Sequence, residues 1–166
     1  MKRIESDNPF LRGKLVPWPM EGEIRDCVVE GAIPAELAGT YYRNGANPQY
    51  PQLASYHVFD GDGMIHAFEI AGGVCRYQNR WVRTERFKAE RAAGERLFNG
   101  LMSGLPPNPR TEGVSGNTAN TNIVWHGGRL LALWEGGPPT ELEPDTLATL
   151  GVHDFDGALA RPNTGG

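Results

Sequence analysis

Short apolar runs separated by glycine and proline dominate the hydrophobic pattern of the chain. β-Branched and aromatic residues recur in these runs, and turn residues bound them, which predicts β-strands. The dipeptide Asn44-Gly45 is a strong turn signal at the end of one run. In the first half of the chain, strands are therefore predicted over residues 26–33, 40–43 and 74–84.

The segment Tyr56–Ile70 predicts a hairpin, because an apolar run stands on each side of a glycine-rich turn. With Gly61 and Asp62 as the two-residue loop, the antiparallel register places His57 opposite His66. Together with the strand that follows it, this hairpin predicts a three-stranded antiparallel meander.

The second half of the chain changes from a strand pattern to a helix pattern and back. Good helix formers within 87–97 predict a short surface helix, and the proline-rich segment 100–116 predicts a loop. A second hairpin is predicted over 118–135. The two prolines at 138–139 are expected to end it, with irregular structure over 140–150.

Hairpins joined by loops are typical of β-propeller blades, but the pattern predicts only about one and a half blades. A propeller needs at least about four blades, so the edges of these strands would have to pair with other sequence. We therefore expect an irregular N-terminal leader over 1–25, followed by a partial β-propeller domain over 26–166 that is truncated at its C-terminal end.

Composition and charge narrow the classes of function. The 166 residues include 22 Gly and 13 Pro without a fixed period, and 39% are hydrophobic, which argues against collagen and against disorder. The net charge is −4, and glutamates alternate with the arginines of 76–96, which predicts a solvated mixed-charge face and no nucleic-acid partner. The absence of an apolar signal core predicts a cytoplasmic location.

The two cysteines, Cys27 and Cys75, are far apart in the sequence and match neither a zinc motif nor a redox motif. We expect two reduced, buried thiols, with a disulfide between them as the alternative.

His57 and His66 are the first candidates for metal binding. Directly opposite residues in an antiparallel pair have Cβ atoms about 4.5–5.5 Å apart, which would let both rings reach one ion. Because no third ligand is set by the sequence, packed strand histidines are the favoured interpretation, and a small metal site is the minority one.

Glu135 is the most interesting carboxylate, since it ends the apolar run Leu130–Trp134. One interpretation is simple exposure at the end of a strand. The other is an acceptor that orients a histidine metal ligand through its ring N–H. The pattern does not decide between them.

Four segments in order resemble the carotenoid cleavage oxygenases, a family that is similar to the retinal pigment epithelial membrane protein. The segment 56–67 contains Phe-Asp-Gly-Asp-Gly-Met, the signature of that family. The segments 33–45, 117–122 and 130–138 match it as well. Together they cover most of residues 8–166, so the chain is identified as an N-terminal fragment of a member of this family.

The resemblance implies an all-β fold, in which this chain forms the incomplete opening blades of a seven-bladed β-propeller with a short helix and long loops. It implies Fe(II) held by four histidines in the full-length protein. It also implies O₂-dependent cleavage of a conjugated double bond to two carbonyl products, in an apolar polyene substrate. Peripheral contact with a membrane is a further expectation for the full-length protein.

The resemblance also assigns site residues by position. Glu135 matches a glutamate that holds a histidine ligand of the iron, and Phe59, Trp134 and Leu101 match the substrate cleft. The first iron ligand of the family lies in a Thr-Ala-His-Pro segment that would follow residue 166. None of the four histidines is therefore assigned to metal, no catalytic residue is assigned, and the chain alone is expected neither to bind iron nor to turn over.

The substrate class is predicted from two positions at which this chain differs from one branch of the family. The stilbene-cleaving branch of the family has a lysine at the position of Trp134 and a tyrosine near that of Leu101. Apolar side chains at both positions favour a carotenoid or apocarotenoid. A stilbene-cleaving member of the family, and a self-standing β-rich binding or interaction module without catalysis, are the alternatives.

Overall fold

The computed structural model describes residues 6–51 and 56–159. Within these ranges the chain forms two four-stranded antiparallel sheets, one α-helix and several short 3-10 turns, which confirms the all-β prediction. The first sheet has the strand order β1-β4-β3-β2, and the second has β5-β6-β7-β8. The elements are β1 (Gly22–Ile24), β2 (Gly39–Ala46), β3 (Gly63–Ala71), β4 (Val74–Trp81), α1 (Glu85–Ala93), β5 (Asn122–His126), β6 (Arg129–Trp134), β7 (Gly137–Leu142) and β8 (Thr149–Val152).

Strands β2, β3 and β4 form a meander, of which only the pairing of β3 with β4 is as predicted. The hairpin predicted around the Asp60–Gly63 turn, which was to supply the first strand, is wrong. Strand β3 pairs with β2 instead, and Val58–Asp60 forms a 3-10 turn. The Asp60 carboxylate accepts a hydrogen bond from the His57 N–H at 3.0 Å, and this local bond competes with strand pairing. His66 consequently lies opposite Arg43 on β2, so the predicted His57–His66 pair does not exist.

Two further predictions in the first sheet are wrong. Residues 26–33 form no strand, and β1 lies earlier, within the segment predicted as leader, where it pairs with β4. Asn44 and Gly45 lie inside β2 rather than in a turn. The Asn44 amide donates to the backbone oxygens of Ala119 and Asn122, so contacts with the second half of the chain outweigh the local turn preference.

One cysteine, Cys75, lies in β4 of this sheet, and the other, Cys27, lies in the loop that follows β1. They are free thiols of intermediate exposure. The prediction that they are buried is therefore wrong.

The second sheet contains the predicted hairpin, in which Gly127 and Gly128 join β5 to β6. The prolines at 138–139 do not end it, because they lie within β7. Proline has no N–H for the ladder, and the pairing of β6 with β7 is irregular at this place, where the register shifts between Ala132 and Trp134. Residues 140–150 are only partly irregular, since 140–142 end β7 and 149–150 begin β8, whereas 143–148 form the expected turn and loop.

The predicted helix is confirmed as α1, although it begins earlier than expected. The Thr84 hydroxyl caps its N-terminus by accepting from the Phe87 N–H at 3.2 Å, and Gly94, with φ of 71°, ends it. The prediction that it lies wholly on the surface is wrong, because Arg86, Phe87 and Glu90 are buried.

The main core lies between the two sheets. Residues of both sheets and of the segments that join them build it: Ile65, Ala67, Val82, Ala119, Leu130, Ala132, Leu142 and Leu147. Each sheet has four strands, so the chain supplies two units of blade size rather than one and a half.

Gly63, the first residue of β3, lies tightly against the segment that leads into β5. Its N–H donates to the Thr118 oxygen at 2.8 Å, and a Cβ at this position would stand 2.1 Å from the Ala119 oxygen. Only glycine fits this contact.

Across the described ranges, no helix is long and apolar enough to cross a lipid bilayer.

Candidate functional site

A cleft of about 490 Å³ opens where the 3-10 turn at Val58–Asp60 meets the end of β6. All four site residues predicted from the sequence line it, although they are up to 76 positions apart in the chain (135 − 59). They are Phe59, Leu101, Trp134 and Glu135. The structure therefore brings the predicted residues together, while their roles stay predictions.

Phe59 stands in the middle of the 3-10 turn, is 64% exposed and lines the cleft. The turn is fixed by the segment that precedes β5, because the Asn120 amide donates to the Phe59 oxygen at 3.0 Å and to the Gly61 oxygen at 2.7 Å. An exposed aromatic ring on a backbone held this firmly is suited to contact an apolar ligand.

Trp134 ends β6 and lies half-buried in the opposite wall. Its ring lies against the backbone of Gly136 and Gly137. A Cβ at Gly136 would stand 2.7 Å from the ring, and one at Gly137 would stand 3.1 Å from it. The two glycines after the strand thus leave the space that this ring occupies.

Leu101 is 73% exposed and belongs to the long loop between α1 and β5. Its N–H donates to Asp60 Oδ1 at 2.7 Å, which fixes the loop at the mouth of the cleft. The preceding Gly100 is required for this contact, since a Cβ there would stand 2.4 Å from Asp60 Oδ2. One buried carboxylate therefore positions residues on both sides of the cleft.

A network of buried charges borders the cleft. Arg86 donates from Nη2 to the Asp60 backbone oxygen at 2.9 Å, and its Nε stands 3.8 Å from Glu90 Oε1. Arg96 Nη2 lies 3.9 Å from Asp60 Oδ2. Burial, followed by the charge of Arg86, lowers the pKa of Arg96.

This network was missed by sequence reasoning, which assigned the arginines of 76–96 to a solvated face. Arg86 and Glu90 are buried, so that prediction is wrong for them. Their spacing of four residues within a helix was the available signal, because such pairs lie on one helix face. Glu90 Oε1 also accepts from the N–H groups of Leu97 and Phe98, which extends the network into the cleft loop.

Two further buried ionisable groups lie close to Asp60. Asp62 accepts from the Gln49 N–H at 3.0 Å, and burial is the main reason that its pKa is raised. Burial also raises the pKa of Tyr56, with a further contribution from the charge of Asp60. These groups are part of the structural support of the turn and do not line the cleft.

Glu135 is exposed at the end of β6 and borders the cleft. Across residues 6–51 and 56–159, no hydrogen bond or ion pair to its carboxylate is present. The carboxylate is thus accessible to a partner that enters the cleft from outside these residues. Its predicted role as an acceptor for a histidine ring remains a prediction.

The histidines each have structural partners. The ring of His57 packs against Phe10 and Phe59, with centroids 4.7 and 4.6 Å apart. His66 Nδ1 forms a hydrogen bond with the Tyr77 hydroxyl at 2.8 Å. No three His, Cys, Asp or Glu side chains in the described ranges converge on a position for a metal ion. These residues therefore do not provide the ligands of a complete iron site.

Comparison with protein families gives one match, in which the model of the retinal pigment epithelial membrane protein family covers residues 16–165. Among curated relatives, isoeugenol monooxygenase of Pseudomonas nitroreducens is 42% identical over 96% of this chain and 33% of its own length. Apocarotenoid-15,15'-oxygenase of Synechocystis sp. is 44% identical over 96% of this chain and 34% of its own length. The chain thus spans about a third of the length of the curated relatives that it matches.

Solved structures agree with the sequence relatives. The lignostilbene dioxygenase of Pseudomonas brassicacearum superposes with a TM-score of 0.86 at 35% identity, over 92% of this chain and 32% of that one. A cobalt-substituted apocarotenoid oxygenase of Synechocystis superposes with a TM-score of 0.75 at 39% identity, over 88% of this chain and 32% of that one. A metal ion is thus part of at least one structure with this fold.

Proposed function

Because the chain belongs to the retinal pigment epithelial membrane protein family, as its sequence motifs predict, we propose that it is part of a non-haem iron(II) dioxygenase. This enzyme cleaves a conjugated double bond of a carotenoid or apocarotenoid with O₂ and produces two carbonyl compounds. The similarity of the chain to several oxygenases supports the reaction class. The two sheets contribute one wall of the substrate site, and the chain alone is inactive.

The observation that supports this proposal is the convergence of Phe59, Leu101, Trp134 and Glu135 on one cleft. Three of these side chains offer apolar contact, and the fourth is a single accessible carboxylate. Binding sites for apolar ligands combine mainly apolar walls with a few placed polar groups. The cleft therefore suits a polyene that lies along the apolar wall, with the double bond to be cleaved near the carboxylate.

Glu135 has a supporting role in this proposal. Carboxylates that accept the ring N–H of a metal-bound histidine fix its tautomer and orientation. The proposal assigns the histidine ligands to the rest of the full-length protein, and no three potential ligands converge within residues 6–51 and 56–159. Iron, when bound by those ligands, supplies the activation of O₂.

The preference for a polyene depends on Trp134 and Leu101, which bring no charge and no hydroxyl group to the cleft. A phenolic stilbene would gain from a cation that meets its phenolate, and neither side chain supplies one. A stilbene is nevertheless the second candidate substrate, because the chain superposes well on a lignostilbene dioxygenase. A hydroxystilbene would gain from a cation at position 134, whereas a polyene would gain from the apolar side chain that is present there.

A cytoplasmic enzyme in peripheral contact with a membrane is also part of the proposal. Three apolar side chains of the loop at the cleft mouth are exposed, namely Leu101, Met102 and Leu105. An exposed apolar loop of this kind is suited to contact a lipid surface that holds an apolar substrate.

Two chimeric enzymes test the proposed function. Residues 16–165 replace the matching third of the Synechocystis apocarotenoid oxygenase in one chimera and of the Pseudomonas lignostilbene dioxygenase in the other. Each is assayed with an apocarotenal and with a hydroxystilbene, in air and under nitrogen. We expect O₂-dependent cleavage of the apocarotenal by the first chimera and weak cleavage of the stilbene by the second.

The variant Trp134→Lys separates the two substrate classes. In the stilbene chimera it should raise hydroxystilbene cleavage by about tenfold or more, the size expected for one well-placed polar contact. Full stilbene activity without the lysine would contradict the polyene preference. Two chimeras that fold, as judged by circular dichroism, and yet cleave neither substrate would favour a self-standing binding module.

A further inference from the structure

The loop after β1 returns to β4 through a contact between the two cysteines of the chain. Strand β1 pairs with β4 as far as Ile24 opposite Tyr77, and the Cys27 N–H then donates to the Cys75 oxygen at 2.9 Å. The cysteines are separated by 47 residues of sequence. The fold thus brings together two thiols whose spacing alone indicates no motif.

The backbone contact sets a separation that suits a disulfide. The bond from the Cys27 N–H to the Cys75 oxygen lies just beyond the last paired residues of β1 and β4. Hydrogen-bonded residues that lie opposite one another in such antiparallel pairs have Cα atoms about 5.5 Å apart. The commonest Cα separation in disulfides is about 5.5–6 Å. Little movement of the backbone would therefore be needed to join Cys27 to Cys75.

The thiols also lie near one another and are accessible. Burial, followed by interaction with the Cys75 thiol, raises the pKa of Cys27, so the two side chains are close enough to affect one another. Both residues have intermediate exposure, which allows a small oxidant to reach them. Within the described ranges no third metal-ligating side chain joins them, which argues for a dithiol rather than a metal site.

We propose that Cys27 and Cys75 form a dithiol site that a small disulfide oxidant, such as oxidised glutathione, converts to an intramolecular disulfide. The thiolate of one cysteine attacks the glutathione disulfide and releases one glutathione as its thiolate. The second cysteine then displaces the other glutathione from the mixed disulfide. The protein loses two protons and two electrons, and the oxidant is reduced to two molecules of glutathione.

The consequence of this bond is structural. Strand β1 has only three residues, all of them exposed, and it covers the edge of β4. A disulfide at Cys27 would hold this short strand in place, and it would restrict the unfolded chain by closing a loop of about fifty residues. Oxidation should therefore protect the edge of the first sheet from pairing with other chains.

Mass spectrometry of the folded chain tests this proposal, and its result does not depend on the proposed enzymatic function. The chain is incubated with oxidised glutathione, the remaining thiols are alkylated, and the protein is digested with trypsin. Trypsin cuts after Arg25, Arg43 and Arg76, which places the two cysteines on different peptides. We expect a linked pair of peptides covering 26–43 and 44–76, and a rise in Tm of about 5 °C or more.

Matched variants complete the test. Cys27→Ser and Cys75→Ser should each give a stable mixed disulfide with glutathione and no rise in Tm. The same incubation in 6 M guanidinium should link the two peptides more slowly than in the folded chain, because the fold no longer holds the thiols together. Separate glutathione adducts on both cysteines of the folded wild-type chain, without linked peptides, would overturn the proposal.

Discussion

At the scale of single residues, the Asp60 carboxylate links both sides of the cleft. It accepts from the N–H groups of His57 and Leu101, and Arg96 stands close to it. The sequence motif predicts its neighbour Phe59 as a residue that contacts the substrate. The supporting role of Asp60 depends on partners about 40 positions away, which a local pattern does not reveal.

We expect Asp60→Ala to lower the free energy of unfolding by about 3–5 kcal/mol. The substitution leaves two backbone N–H groups without their acceptor and a largely buried arginine without its partner carboxylate. Urea unfolding measures the change. Asp7→Ala is the control, because Asp7 is fully exposed and should change stability by no more than about 0.5 kcal/mol. Equal effects of the two substitutions would contradict the role given to Asp60.

His66 should make stability depend on pH. Burial, followed by the charge of Arg43, lowers the pKa of His66 in the folded chain. The unfolded chain therefore binds the proton more readily. The contribution of this group is present above about pH 6.5, the unfolded pKa, and is lost as the pH falls through the folded pKa.

The pH dependence is measured as the free energy of unfolding between pH 7.5 and pH 5. His66→Gln should reduce the loss of stability toward low pH, whereas His126→Gln, at an exposed position, should retain it. If His66→Gln showed the same loss as the wild type, the folded state would not favour the neutral ring.

At the scale of elements, sequence prediction succeeded where local signals were unopposed. The glycine pair at 127–128 correctly predicts the second hairpin, and the run of good helix formers correctly predicts α1. It failed where distant contacts outweighed local preference. Asn44-Gly45 lies in a strand because the Asn44 side chain bonds to the second half of the chain, and the prolines at 138–139 lie in a strand whose register is irregular there.

The N-terminal cap of α1 gives a prediction at this scale. Thr84→Ala should lower the free energy of unfolding by about 1 kcal/mol, because the Phe87 N–H loses its acceptor at a buried position. Thr84→Ser keeps the hydroxyl and should retain most of the stability. Thermal unfolding followed by circular dichroism measures both. A Thr84→Ser variant as unstable as Thr84→Ala would show that the methyl group, and not the cap, is what matters.

At the scale of the whole molecule, two four-stranded sheets share one core, and the likeness to solved oxygenases confirms the predicted fold as the opening part of a seven-bladed β-propeller. The family motifs allowed this prediction. Strands β1, β7 and β8 were missed, because β1 and β8 are short and contain polar or small residues, and β7 contains the two prolines that were expected to end the hairpin. The division of the chain at residue 25 stays a prediction.

The close contact at Gly63 predicts that one added methyl group has a large effect on the stability of the fold. Gly63→Ala should lower the free energy of unfolding by about 3 kcal/mol, because the added Cβ meets the Ala119 backbone oxygen, which no rotamer change can move. Gly45→Ala is the matched control, since a Cβ there meets nothing within 4 Å. Tryptophan fluorescence and circular dichroism during urea unfolding measure both. Wild-type stability of Gly63→Ala would mean that this contact is not as close as described.

The most direct test of the central claim, that this chain provides one wall of an oxygenase site with Glu135 as its supporting carboxylate, is the kcat of the apocarotenoid chimera carrying Glu135→Gln. We predict a kcat lower by about 10–100-fold, the usual effect of losing a carboxylate that orients a metal ligand. The control Glu112→Gln, at an exposed loop position, should leave kcat unchanged. A Glu135→Gln chimera that folds and retains the full kcat would contradict the claim.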